Sequence, residues 1–233
     1  KQMVIETQEA IKNISDDDSV KVLIITGIGK GFSAGADLSD PSGMDDHNND
    51  RIVYEGLVNG YMPSLVNIMN MPKPVIAAVN GPAAGIGSAF ALACDLMVMS
   101  ESAYLKQAFV HIALIPDGGL NWLLTRSIGY KLAYEMAIEG NNVSAARCLE
   151  LGLANKVVSD DELMSVTMAW AESLARKSSQ SLRETKKVMR AAMTASYEDT
   201  FKLEAEANNS LHGSEDSLEA VKAFFEKREP NFK

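Results

Sequence analysis

Apolar positions recur along this chain with two periods. Met3, Val4, Ile5, Ala10, Ile11 and Ile14 fall at helical spacing and predict a helix over 3–14. After an acidic loop, 20–26 (V-K-V-L-I-I-T) reads as a buried strand. The helical period returns over 51–69, with Tyr54, Leu57, Val58, Tyr61, Leu65 and Ile68 on one side. The run 75–79 is continuous, apolar and β-type, and it follows Pro72 and Pro74, which cannot sit inside a central strand. Asn80, Gly81 and Pro82 are turn chemistry, and a helix then runs through Ala89 to Cys94. Short strands are expected over 96–99 and 103–105, and an apolar run from Phe109 stops at Pro116. Helices are expected over 120–124, 130–139 and 144–154, the last with Ser144 as N-cap and Gly152 near its stop. A short strand over 156–158 comes next, and from Asp161 the chain reads as helical almost to its end. Strand–helix alternation favours a mostly parallel sheet in an α/β core over 1–160, with a helical region over 161–233.

Two glycine-rich turns carry the local chemistry. Gly85 and Gly87 open the helix after the 75–79 strand, where N–H groups are unpaired and the helix dipole is positive. A ligand oxygen can approach such a backbone, so the turn reads either as an oxyanion site or as small-residue packing. The other turn, G-I-G-K-G-F-S-A-G-A-D-L over 27–38, lacks the Ser or Thr after Lys30 that a phosphate loop needs. Neither turn matches G-x-G-x-x-G, and the nucleotide readings are set aside. The polar stretch 39–50 reads as a mobile loop or a disordered insertion. Asp117, between Pro116 and two glycines, reads as the N-cap of the next helix or as an acid placed for chemistry. His111, inside an apolar run, reads as a packed histidine.

Composition narrows the class. With 233 residues, 46% hydrophobic and 23% charged, the chain is an ordinary globular protein able to bury a core. A formal net charge of −9 argues against bulk nucleic-acid or anionic-membrane binding. Lys186, Lys187 and Arg190 form one basic face, read as solvated. Cys94 and Cys148 lie in apolar helical patterns and read as buried thiols, so neither a disulfide nor a metal site is expected. No apolar run approaches the roughly 18–20 residues of a membrane span. The first residues form an amphipathic helix rather than a signal peptide, which gives a cytoplasmic expectation.

Four segments, in order and over essentially the whole chain, carry a family resemblance. They are the strand with G-x-G-x-G-F-S-A-G-A-D-L, then P-K-P-V-I-A-A-V-N-G-P-A-A-G-I-G, then I-P-D-G-G, then F-F-E-K-R-E-P-N-F-K. Together they resemble the enoyl-CoA hydratase/isomerase (crotonase) superfamily. The family's N-terminal strand pair has no counterpart before the first helix, and a truncated start is expected. The resemblance implies a crotonase-like α/β spiral of ββα turns with a C-terminal helical region that builds a homo-trimer or a dimer of trimers. It implies an acyl-CoA thioester as substrate, with coenzyme A entering as part of it, no permanently bound cofactor, and no nucleic acid or membrane as partner.

By position, the resemblance gives an oxyanion hole made by the backbone N–H groups of Ala36 and Ile86. It assigns coenzyme A binding to Ala34, Ala36, Asp37, Leu38 and Ser39, and to Phe224 and Lys227 reaching over from a neighbouring subunit. The two glutamates of true hydratases are missing, because Ala89 and Phe109 stand in their places. Asp117 stands where an acidic residue is the base of the family's double-bond isomerases and the nucleophile of its aryl-CoA dehalogenase branch. The pattern F-x-x-I-x-L-I-P-D-x-G is similar to the oxepin-forming isomerases of phenylacetate breakdown and to Δ3,Δ2-enoyl-CoA isomerases. The implied reaction is movement of a double bond through an enolate, with Asp117 as acid and base. Hydration, other crotonase chemistry, and a non-catalytic acyl-CoA-binding member are the alternatives. Tyr54, Tyr61, Met62, His111 and Trp122 are the candidates for lining an acyl pocket.

Overall fold

The computed structural model describes residues 2–37 and 51–232. Helix α1 (Gln2–Asp16) leads to β1 (Leu23–Thr26). Then come α2 (Ile52–Glu55), a π-helical turn (Gly56–Tyr61) and α3 (Met62–Asn70). Two similar units follow: β2 (Val75–Val79), β3 (Pro82–Ala84) and α4 (Ile86–Ala93), then β4 (Leu96–Ser100), β5 (Tyr104–Lys106), a 3-10 turn (Ala108–Ile112) and α5 (Leu120–Glu139). After β6 (Asn142–Ser144), α6 (Ala145–Glu150) and β7 (Lys156–Val158), the described chain is helical: α7 (Leu163–Ala175), α8 (Ser179–Ala192), α9 (Tyr197–Leu211) and α10 (Glu215–Glu226).

The strands form a parallel sheet in the order β1-β2-β4-β7 and a second sheet in the order β3-β5-β6. Each circuit of the chain gives one strand to the first sheet, one to the second, and then a helix. The first circuit follows the same path, with a single parallel bridge from Ser33 to Ala83 in place of its second strand. This is the expected spiral of ββα turns.

Strand β2 is buried along its whole length. Val75, Ala77 and Val79 face a core with Ile68, Met99, Leu105, Leu120 and Leu124, while Ile76 and Ala78 face Val98, Leu163 and Ala171. Helix α7 thus covers the second face of the sheet. A strand buried on both faces needs a continuous apolar run, which is why 75–79 shows no alternation.

Several elements depart from the sequence pattern. The single helix expected over 51–69 is interrupted by the π-helical turn. Pro63 has no N–H to give Asn59, four residues back. The side-chain amide of Gln8 donates to the carbonyls of Asn59 and Gly60 instead. Pro82, read as turn chemistry, begins β3, where a strand tolerates proline in its first position. The helices expected over 120–124 and 130–139 are joined as α5 across a non-helical Gly129. The apolar run after Phe109 is a 3-10 turn and loop with Val110, Ile112, Leu114 and Ile115 exposed. His111 is therefore not packed inside an apolar run, and its ring nitrogen bonds the Gly140 carbonyl. The loop expected over 39–50 lies outside the described residues. Cys94 and Cys148 are free and buried, with burial pushing their thiols up to about 12 and about 11. Among the described residues, no helix is long and apolar enough to cross a membrane.

Of the basic face of α8, Lys187 is solvated but Lys186 and Arg190 are not. Lys186 Nζ and Arg190 Nη2 lie 2.6 Å and 2.9 Å from the carboxylate of Asp95, just beyond α4. Lys186 also donates to the carbonyls of Ile68 and Lys73, and Arg190 to that of Ala93. Asp95 in turn accepts the Val75 N–H at 2.9 Å, so one carboxylate holds the start of β2 to α8. Removing it strands two cations in a poorly solvated place. Asp95→Ala is expected to cost about 3–5 kcal/mol, read as a lower urea midpoint with an unchanged slope.

A second buried polar group is uncompensated. Ala103, Leu105, Gln107 and Phe109 are buried while the residues between them are half-buried, so Gln107 shares the inward side of Leu105. Neither its Oε1 nor its Nε2 has a hydrogen-bond partner. An orphaned buried amide is expensive, and methionine fills similar volume without that cost. Gln107→Met should raise stability by about 1–2 kcal/mol, seen as a higher thermal midpoint.

Candidate active site

The site is built where the circuits of the spiral meet. The N–H groups of Phe32 and Ser33 both donate to the Pro82 carbonyl at 3.0 Å, and Ala84 N–H returns a bond to the Ser33 carbonyl at 2.9 Å. Helix α4 starts immediately after, with Gly85 as N-cap and its N–H on the Lys106 carbonyl at 3.0 Å. A methyl group on Gly87 would lie 2.6 Å from Ser33 Cβ and 2.8 Å from its carbonyl oxygen, so only glycine lets α4 rest there. Gly35 crosses the same place, its Cα 4.0 Å from where a Gly85 Cβ would be. Ala36 follows Gly35 and Ile86 follows Gly85. The two implied oxyanion donors therefore sit on segments in van der Waals contact. Ile86 is the first residue of α4, so its N–H has no partner within the helix and lies at the positive end of the dipole.

The turn carrying Asp117 packs onto the head of the same helix. Gly118, at φ +61°, has Ile86 Cδ1 at 2.5 Å and Ala89 Cβ at 2.8 Å from its Cβ position, with Leu65 Cδ1 at 3.6 Å. The turn is held by the Leu120 N–H on the Asp117 carbonyl at 3.1 Å and the Asn121 amide on the Pro116 carbonyl at 2.6 Å. Asp117 is not the N-cap of α5: Gly119 takes that place, and no side chain caps the helix. Its carboxyl is half-buried, and Oδ1 is buried with no hydrogen-bond partner. Burial holds the Asp117 pKa above the ordinary aspartate value. The Tyr61 pKa is also raised, by burial first and then by the charge of Asp117.

The two positions that the resemblance assigns to the hydratase glutamates are apolar and enclosed. Ala89 is fully buried, and Phe109 puts its ring tip 3.7 Å from the Gly85 Cβ position. Ala36, Ile86, Ala89, Phe109 and Asp117 thus come together around the head of α4. The remaining candidates scatter. Ala34, Ala36 and Asp37 are exposed on the loop after β1, and Leu38 and Ser39 lie outside the described residues. Phe224, 78% exposed, forms an edge-to-face pair with Phe225 on α10, and Lys227 ends that helix in a left-handed conformation. Tyr54 and Met62 are exposed, with the Arg51 guanidinium over the Tyr54 ring. Trp122 is half-buried under Arg126, and His111 is occupied at Gly140. Tyr61 is half-buried and packs on the main core.

Comparison with known proteins identifies the family. The enoyl-CoA hydratase/isomerase family profile matches residues 1–233. A putative enoyl-CoA hydratase of Thermus thermophilus is 35% identical, over 99% of this chain and 90% of its own length. The 1,2-epoxyphenylacetyl-CoA isomerase of Escherichia coli is also 35% identical, over 99% of this chain and 88% of its own. The crystal structure of an enoyl-CoA hydratase from Bacillus anthracis superposes with a TM-score of 0.92 at 32% identity, covering 100% of this chain and 88% of that one. The chain belongs to the enoyl-CoA hydratase/isomerase family.

Proposed function

We propose that this protein moves a double bond within an enoyl-CoA thioester, using Asp117 as both acid and base. The observation that carries this reading is the half-buried carboxyl of Asp117, with Oδ1 unpartnered, on the turn against the head of α4, where both hydratase positions are apolar. The thioester oxygen accepts hydrogen bonds from the N–H groups of Ala36 and Ile86. Donors fixed in place need no reorganisation as charge develops, and one is worth about 3 kcal/mol to the transition state. Asp117 removes a proton from the acyl chain to give a dienolate and returns it at another carbon. One base suffices because no water is activated. Burial makes this carboxylate a stronger base than free aspartate.

Coenzyme A arrives as part of the substrate, and the mechanism asks for no resident cofactor. Its adenine end follows Ala34, Ala36 and Asp37, with Leu38 and Ser39 in the same assignment, and Phe224 and Lys227 of another copy cover it. Self-association into a trimer or a dimer of trimers supplies that copy. Tyr197, Phe201, Leu218, Val221, Phe224 and Phe225, exposed on α9 and α10, support this. Sedimentation equilibrium should find three or six copies per particle, whereas a monomer would remove this part of the reading.

The reaction itself is tested by hydrogen exchange in deuterium oxide with 3-enoyl-, 2-enoyl- and ring-bearing CoA thioesters. Wild type should exchange acyl hydrogens and migrate the double bond, and Asp117→Asn should lose about 10²–10⁴-fold of both rates. The acid limb of the wild-type profile should lie above the ordinary aspartate value, since the base works only when ionised. Full activity in Asp117→Asn ends the mechanism. Water addition without migration moves the protein to the hydratases, and tight binding with neither reaction makes it a non-catalytic acyl-CoA binder.

A further inference from the structure

Tyr61 closes the π-helical turn, which the missing N–H of Pro63 and the clamp of Gln8 accompany. Such turns redirect side chains and recur at functional sites. Leu65 lies one helical turn on, on the same face of the helix, and its Cδ1 is 3.6 Å from the Cβ position of Gly118, the neighbour of Asp117. Tyr61 itself packs on the main core while staying half-buried, and it shares the helix face that meets the Asp117 turn through Leu65.

We propose that Tyr61 is the positioning residue for Asp117: once an acyl chain is seated, its O–H donates to Oδ1 and leaves Oδ2 to carry the proton. The inference rests on Asp117 being the base. It pairs a hydroxyl donor with the buried carboxylate oxygen that has no partner in the free protein. Hydrogen bonds of this kind often tighten only in the substrate complex. Burial and the charge of Asp117 both keep the phenol protonated, so it remains a donor.

Among the described residues, no charged group shifts the Asp117 carboxyl. Among the described residues, α4 presents Ile86 and Ala89, α3 presents Leu65, and the first turn of α5 carries Leu120, Asn121, Trp122 and Leu123. The imidazole of His111 is on Gly140.

Loss of the hydroxyl should act on the substrate complex and spare the free enzyme. A donor to a carboxylate lowers its pKa, so removing the donor raises it. In Tyr61→Phe, the acid limb of the kcat profile should move up by about one pH unit, while the limb of kcat/KM, which reports the free enzyme, stays in place. At neutral pH, kcat should fall about ten-fold with KM nearly unchanged. Tyr61→Leu, which also removes the ring, is expected to lose thermal stability in addition. A Tyr61→Phe enzyme with wild-type kcat and an unmoved kcat limb overturns the inference, as does a loss confined to thermal stability. Asp117→Asn run in parallel separates the two failures. If Asp117→Asn is inactive and Tyr61→Phe is normal, only the role of Tyr61 falls. If Asp117→Asn is active, the base assignment falls and takes this inference with it.

Discussion

One steric contact governs the site: the first turn of α4 rests against Ser33 with no room for a side chain at position 87. The contact joins the first circuit of the spiral to the second, beside the Ser33–Ala83 bridge. The Ser88 hydroxyl then bonds the carbonyls of Ala83 and Lys106, at 2.8 Å and 3.2 Å, and draws in the third circuit. Three stretches far apart in sequence are thereby fixed within ångströms of one another. Two N–H groups on facing loops can act on one oxygen only if neither loop drifts, which is the preorganisation that electrostatic catalysis requires. The same packing brings in Gly118, whose missing side chain lets the Asp117 turn reach Ile86 and Ala89.

Two partly buried aspartates meet opposite environments. Asp95 is partly buried and fully answered, by a backbone N–H, a lysine and an arginine. Asp117 is also partly buried, but one oxygen meets no donor and burial dominates its titration. Proteins compensate nearly all their buried polar groups, so an uncompensated carboxyl at a junction of loops is a cost retained for a reason. Gln107 gives the same signal only weakly, since an amide is neither base nor nucleophile.

Much of the fold was legible because its signals are local. The apolar run 75–79, the small-residue head of α4 and the alternation after it announce β2, α4 and a parallel sheet with few rivals. Ordered motifs along the whole chain extended this to the spiral, and by resemblance they singled out Ala36, Ile86 and Asp117, whose segments the fold brings to the head of α4. What stayed hidden depends on contacts distant in sequence. Nothing near Ser33 says that it bridges to Ala83. The three-residue strands β3 and β6 are too short for a period to show. The π-helical turn arises from Pro63 and is held by Gln8, about 50 residues away, so a helical wheel over 51–69 passes straight through it. Asp117 could be read as a cap as well as an acid because aspartate is a favoured N-cap residue. The left-handed Gly119 at the N-cap removes that role.

Helix α8 shows most sharply why period alone does not give orientation. Its charged stripe was legible, but its direction was reversed. Lys186 and Arg190 turn inward to Asp95, and Met189 is left 67% exposed. A stripe of lysine and arginine normally faces water because desolvating a cation is costly, and only a partner that needs the charge reverses the preference. That partner, Asp95, lies about ninety residues earlier and cannot be matched to α8 by pattern. The reversal has a consequence for the helices beyond. With α8 held to the core through ions, α8 and α9 pack on one another, while Met189, Tyr197, Phe201, Phe224 and Phe225 stay exposed. Neither α8 nor α9 buries a residue within the chain. Large apolar side chains left exposed on these helices support the proposed self-association. The proposed trimer provides a surface to cover them, and the aromatic pair of α10 would then be shared between one copy's helices and the next copy's coenzyme A.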